Sequence, residues 1–310
     1  MLKYLVALVL LPVAVSAEEG WPRDIPHETG TLHLESPPQR IVSTAPSLTG
    51  TLLALGAPLA ATAAAAPGPL TDDAGFFRQW AEVAHERGVL PLYRDLTFDI
   101  EALILSDPDL VVVATTGGDS VLPHLPAIEA LGYPVIALDY GVNSWEEMAE
   151  TLGRATGYEE QAIAVIDEFQ VRAHEAARKM HHPAGSVSIV SYNFLSTYGI
   201  AKPESAQARV LSEMGFSVTG LPEALKATVT RSREFDFVSH ENLPAAITGD
   251  SVFLLAAADE QVAAFKSDPV LANLPAVQHD RVYALGPTSF RIDYYSGLAI
   301  IDAVQRQLAE

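Results

Sequence analysis

Asp109-Leu110-Val111-Val112-Val113-Ala114-Thr115 holds five consecutive apolar residues between a carboxylate and a hydroxyl. An alternating run would mark a strand with one wet face. An unbroken, β-branched run marks a strand covered on both faces, the condition of a parallel strand inside an α/β layer. Asp99-Ile100-Glu101-Ala102-Leu103 precedes it and reads as a helix start, with Asp99 as the cap. The phrase returns in the second half, where Ser239-His240-Glu241-Asn242-Leu243 leads to Asp250-Ser251-Val252-Phe253-Leu254-Leu255. From glutamate to pre-strand aspartate the distance is eight residues in the first copy and nine in the second. A cap, a first-turn glutamate, a helix and a buried strand thus occur once per half.

The same rhythm extends in both directions. Strands are expected at 40–44, 58–63, 110–115, 135–139, 187–192, 216–219, 252–256 and 282–285, separated by helices that end in glycine caps at Leu55-Gly56, Leu131-Gly132 and Met214-Gly215. Residues 158–180 break the pattern. They contain no strand, and Ile163, Ile166, Phe169, Ala173, Ala177 and Met180 recur at helical spacing. At 1.5 Å per residue this helix is about 33 Å long, enough to run the length of a lobe. The fold class is therefore α/β, with two Rossmann-like lobes joined by one long rigid helix and a ligand cleft between them. The expected divisions are a first lobe over 18–157, the connecting helix over 158–182 and a second lobe over 183–310.

At the N-terminus, Lys3, the apolar stretch from Leu5 to Val15 and the small residues Val15-Ser16-Ala17 read as a secretory signal peptide over residues 1–17. Its apolar run is too short for a bilayer, which takes about 20 residues. The chain has no cysteine, which excludes disulfide staples, thiolate metal sites and a lipid-anchored cysteine after the leader. An exported, monomeric protein without a membrane anchor, free in the periplasm of a Gram-negative cell, is the expectation. The formal charge of −20 argues against nucleic acid or an anionic membrane as partner. Only nineteen Lys and Arg are present, so any anion site must come from a short set.

Reactive constellations are missing. The sequence has no Gly-x-Ser-x-Gly elbow and no phosphate loop ending in Gly-Lys-Ser/Thr. Thr116-Gly117-Gly118-Asp119 lacks the spacing of a nucleotide turn and reads as a loop at a cleft edge. The nine histidines, among them His27, His33 and the adjacent His181-His182, form no His-x-x-x-His pair and no His-rich loop, so no protein-bound metal and no cofactor is expected. Binding is favoured over catalysis.

Six stretches then resemble the ferric-enterobactin-binding periplasmic proteins of Gram-negative bacteria. They are Arg40-Ile41-Val42-Ser43-Thr44, Ser47-Leu48-Thr49-Gly50-Thr51-Leu52-Leu53-Ala54, Gly75-Phe76-Phe77-Arg78-Gln79-Trp80, Ala114-Thr115-Thr116-Gly117-Gly118-Asp119-Ser120, Pro203-Glu204-Ser205-Ala206-Gln207 and Ser289-Phe290-Arg291-Ile292-Asp293-Tyr294-Tyr295-Ser296. They occur in the family's order across nearly the whole chain. The resemblance implies a cleft for a ferric catecholate siderophore, slight closure on binding and delivery to an inner-membrane ABC permease, with the iron held by the siderophore.

Three doubly deprotonated catecholates around Fe(III) make a triply negative aromatic propeller. Arginine suits it, because the planar guanidinium stacks on rings and donates to oxygen. The resemblance places Arg78 and Arg291 in the cleft, one from each lobe, with Thr44 and Thr116 among the ligand-binding positions. Arg231 and Arg233 fall where the family is also basic. Where the family carries a cleft tryptophan this chain has Ala201, and Tyr198 is the nearby ring that could replace it. Glu101 and Glu241 match positions that present one glutamate per lobe to permease arginines, although a first-turn glutamate is also favoured by the helix dipole alone. Rival readings are another ligand in the same fold (heme, cobalamin or a hydroxamate siderophore), a periplasmic α/β esterase, and a structural or adhesive exported protein.

Overall fold

The computed structural model describes residues 20–309, so the leader read over 1–17 lies outside the described residues. The strands are β1 Arg23–His27, β2 Gly30–Leu34, β3 Ile41–Ser43, β4 Leu59–Thr62, β5 Leu90–Pro91, β6 Leu110–Ala114, β7 Val135–Leu138, β8 Val187–Phe194, β9 Thr197–Ala201, β10 Thr230–Arg231, β11 Phe235–Phe237, β12 Ser251–Leu254 and β13 Val282–Ala284. One sheet runs β5-β4-β3-β6-β7 and is parallel throughout. The other runs β10-β11-β9-β8-β12-β13 and is parallel only from β8 through β12 to β13. The β1–β2 hairpin stands apart and touches β7 through Glu28 N–H on Ala137 O at 3.0 Å.

The unbroken apolar run of β6 is explained by its two faces. Val111 and Val113 pack with Val42, Ala61, Val135 and Ala137 on the outer side. Leu110, Val112 and Ala114 pack inward with Ile41, Ile136 and Leu138. In the second sheet Val252 and Leu254 face an outer core while Phe253 faces the inner one.

That inner core is continuous between the lobes. It joins Leu48 and Leu52 of helix Pro46–Leu55, Trp145 of Trp145–Thr156, Phe169 and Ala173 of Glu159–Arg178, Leu211 of Ala206–Glu213 and Ile300 of Tyr294–Gln307. The expected long helix is present as Glu159–Arg178, and its buried stripe is Ala162, Phe169, Ala173 and Ala176. Ile163 instead stays exposed. Phe169 meets Trp145 edge-on at 5.0 Å. On its other side a Cβ at Gly297 would stand 2.6 Å from the Phe169 ring, so glycine is required for the C-terminal helix to lie against the connector. The lobes are thus seamed by several helices as well as by the connector.

The sequence echo has a structural purpose. Asp109 accepts from the N–H groups of Gln39 at 2.6 Å and Arg40 at 2.8 Å, pinning the entry to β3. Asp250 accepts from Ser186 N–H at 2.9 Å, pinning the entry to β8. The copies differ at the preceding helix. Asp99 caps the α-helix Ile100–Ser106, accepting from Glu101 and Ala102 N–H. Ser239 instead precedes a 3₁₀ turn, His240–Asn242, and the short helix Leu243–Ala246.

The strand expected at 216–219 is reduced to one parallel bridge, Val187 to Val218. The reason is competition: β9 folds back antiparallel and takes the rest of that edge of β8. The hairpin between them turns through Asn193, Leu195 and Ser196, all in the left-handed region, with φ of 52°, 50° and 59°. Outside glycine that conformation is uncommon and costs free energy.

Candidate functional site

The carboxyl ends of the parallel strands point into the space between the lobes, the customary ligand position in open α/β sheets. A cleft cavity of about 550 Å³ lies there. The first lobe lines it with the loop 65–71 and Phe77. The second lobe adds Tyr192, Phe194 and Leu195 from the β8–β9 hairpin, with Leu255, Ala256 and Pro287. The wall is largely apolar and aromatic.

The Gly75-to-Trp80 stretch shows how the first wall is built. Asp72 accepts from Ala74 and Phe76 N–H, each at 2.9 Å, closing a tight turn. Gly75 has φ +86°, and a Cβ there would come within 2.2 Å of Ala65 O, so only glycine lets the loop close. Phe76 and Trp80 are buried, with ring centroids 5.4 Å apart. Phe77 is left facing the cleft. Arg78 is exposed on the rim and folds back on its own loop, donating from Nε to Pro69 O at 3.0 Å.

The opposite wall is clamped from both ends. Buried Gln207 donates to Ser289 O at 3.1 Å and Phe290 O at 3.0 Å. Asp293 caps the C-terminal helix by accepting from Ser296 N–H at 2.9 Å, and its other oxygen accepts from Gln79 across the seam at 3.3 Å. Complete burial lifts the Asp293 carboxyl to about 6. Between the clamps, the Arg291 guanidinium lies 4.3 Å from the Phe290 ring and 5.2 Å from the Tyr140 ring of the other lobe. Tyr140 is held by its hydroxyl donating to Asp119 at 2.7 Å, and Asp119 also accepts from Ser47 N–H at 3.0 Å. Among the described residues Arg291 enters no ion pair.

The other expected residues sort differently. Arg233 reaches across the cleft to pair with Asp139, beside a smaller cavity of about 150 Å³ that both lobes line. Nearby, burial raises the Glu234 carboxyl, against the pull of Arg291 and Arg209. Arg231 pairs with buried Asp236 at 2.9 Å on the second lobe. Thr116 is partly exposed at the end of β6, within the same corner as Gly141 and Arg233. Thr44 is fully buried and its hydroxyl donates to Val112 O at 3.3 Å, so it supports the sheet. Tyr198 packs behind Tyr192, ring centroids 5.6 Å apart, next to His240 and outside the cavity lining. Ala201 is fully buried at the end of β9. Glu101 and Glu241 are both exposed and carry no ion pair among the described residues.

Tyr140, Phe290, Phe77, Tyr192 and Phe194 are cleft rings that the sequence reading did not single out. Tyr140 had a usable signal, since it directly follows a buried parallel strand. Phe194 had none, because the hairpin that carries it was not foreseen. Among the described residues no group of His, Asp or Glu could hold a metal ion, and no helix is long and apolar enough to cross a membrane.

Residues 41–288 match the family described as periplasmic binding protein. The chain is 38% identical over 305 residues to the ferric enterobactin-binding periplasmic protein FepB of Escherichia coli O6:H1, covering 97% of this chain and 95% of that one. Among solved structures, holo-ViuP superposes with a TM-score of 0.84 at 36% identity, over 94% of this chain and 96% of that one. The triscatecholate siderophore binding protein FeuA from Bacillus subtilis, complexed with ferri-bacillibactin, superposes at 0.68 with 16% identity over 92% of this chain and 97% of that one, a likeness of fold. The two α/β lobes, the cleft between them and the match over most of the chain lead to one conclusion: this chain belongs to the periplasmic binding protein family, whose members bind and do not catalyse.

Proposed function

We propose that the chain captures a ferric catecholate siderophore of the enterobactin type in the periplasm and hands it to an inner-membrane ABC permease. The observation that carries the cargo is Arg291, a cation free of ion pairs and set against one ring from each lobe in a chain of charge −20. Against that background a cation in no direct ion pair, though within the field of Glu234, suits a polyanion. Phe77, Phe194 and Phe290 supply ring faces and edges for the catecholates. Arg78 on the opposite rim can swing from its carbonyl contacts to the cargo. Arg233 can do so only by leaving Asp139, so it contributes less. The likeness to the ferric enterobactin-binding protein supports the same cargo.

Delivery rests on the exposed, unpaired Glu101 and Glu241. The pinning aspartates Asp109 and Asp250 show that the two glutamates precede equivalent strands, which suits a two-fold permease. A fluorescence titration of the mature protein should saturate with ferric enterobactin and not with a ferric trihydroxamate; the reverse preference would overturn the catecholate reading. Combining Glu101→Ala with Glu241→Ala should leave cargo affinity intact and abolish uptake, and normal uptake would sink the docking assignment.

A further inference from the structure

We propose that Asp268 is a positioning residue that ties the cargo cleft to the docking turn of the second lobe. The proposal rests on the docking reading of Glu241. Asp268 is 8% exposed and belongs to neither surface, yet one of its oxygens serves both. Oδ2 accepts from the hydroxyl of Tyr192 at 2.8 Å and from Nε2 of His240 in a shorter contact. Tyr192 lines the cleft, and His240 opens the 3₁₀ turn that presents Glu241. Oδ1 is anchored separately by Val270 N–H at 2.9 Å, so the carboxylate has a fixed pivot. Tyr198 closes the cluster, its ring 5.6 Å from Tyr192 and 5.0 Å from His240.

The physical logic is a shared acceptor. Cargo pressed against the Tyr192 ring moves its hydroxyl, and any change in that bond changes how strongly Oδ2 holds His240. A buried carboxylate cannot turn to water for a replacement, so the adjustment passes to the turn. Among the described residues the first lobe shows no such connection: Glu101 follows Asp99, whose side chain caps its own helix. By linkage, whatever seats Glu241 must alter cargo affinity by the same factor.

Amide hydrogen exchange on the mature protein, with and without ferric enterobactin, tests the relay. Cargo should slow exchange in residues 239–247 by roughly twofold or more and leave 99–106 unchanged. His240→Ala leaves the Tyr192–Asp268 bond in place, so cargo should still bind, with affinity shifted by no more than the roughly twofold that linkage sets, while the response at 239–247 disappears. Asp268→Asn should lose the response and several-fold of affinity. A response that survives in His240→Ala overturns the relay, whether or not Asp268→Asn folds. A parent protein that binds cargo with unchanged exchange at 239–247 overturns the relay alone, whereas one that does not bind overturns the cargo reading and the relay with it.

Discussion

The two lobes repeat one unit and then part company. In each, an aspartate before a buried central strand pins the entry of its parallel neighbour, Asp109 for β3 and Asp250 for β8. After that point the first lobe stays parallel across five strands, while the second turns back at Asn193–Ser196 and adds three antiparallel strands. The shared part makes the platform. The departures make the cleft, because the first lobe contributes a knitted loop with Phe77 and the second a strained hairpin with Tyr192 and Phe194. Functional surface therefore lies where the repeat is broken, and backbone strain is tolerated there because the parallel strands beneath hold their own register.

The seam is the sharpest place to challenge this division. A Cβ at Gly50 would stand 2.4 Å from an Asp293 carboxylate oxygen and 2.9 Å from Trp80, so Gly50→Ala should destabilise by about 3 kcal/mol in chemical denaturation. A neutral result would mean that the lobes separate more readily than their common core implies. Asp293 itself makes a pH-dependent contribution. Its folded-state pKa is raised from 3.8 to about 6, so the folded protein binds the proton more tightly than the unfolded chain. Stability from this group is present below pH 3.8 and is lost as pH rises through about 6, a change of about 3 kcal/mol. Asp293→Asn keeps the cap and should flatten the melting temperature profile over that window relative to the parent.

The two rim arginines give a smaller contrast. Arg291→Ala should weaken ferric enterobactin binding by about 2 kcal/mol, as expected for charge-assisted contacts to an anion. Arg78→Ala should cost less, about 1 kcal/mol, because that guanidinium must first give up Pro69 O. Equal losses by titration would show that the lobes share the cargo evenly. Smallest is the contrast between the pinning aspartates, both solvent-exposed. Asp109 holds two N–H groups and Asp250 one. Asp109→Ala should therefore cost about 1 kcal/mol and Asp250→Ala about 0.5 kcal/mol in equilibrium unfolding.

Much of this was legible before any coordinates. Covered strands, glycine caps and the connector follow from local rules of period and chain conformation, which is why Leu110–Ala114, Val135–Leu138 and Glu159–Arg178 fall inside the expected segments 110–115, 135–139 and 158–180. Arg291 entered through resemblance, and its setting between Phe290 and Tyr140 came only from the fold. Tyr198 was a reasonable substitute ring by sequence distance from Ala201. It lies behind Tyr192 because β9 pairs Tyr198 directly opposite that residue on β8.

What the sequence alone determined is the α/β class, the two-fold repetition and the −20 charge against which any cation must be placed. Tertiary structure decided which cations stand free. Arg233 pairs with Asp139 and Arg231 with Asp236, partners 94 and 5 residues distant, while Arg291 stands against two rings and enters no direct ion pair among the described residues. It also decided that Tyr192, Asp268 and His240 meet at one oxygen. Composition and period describe each segment by itself. Ion pairs and shared acceptors depend on chain reversals such as the β8–β9 hairpin, whose left-handed residues carry no glycine to announce it.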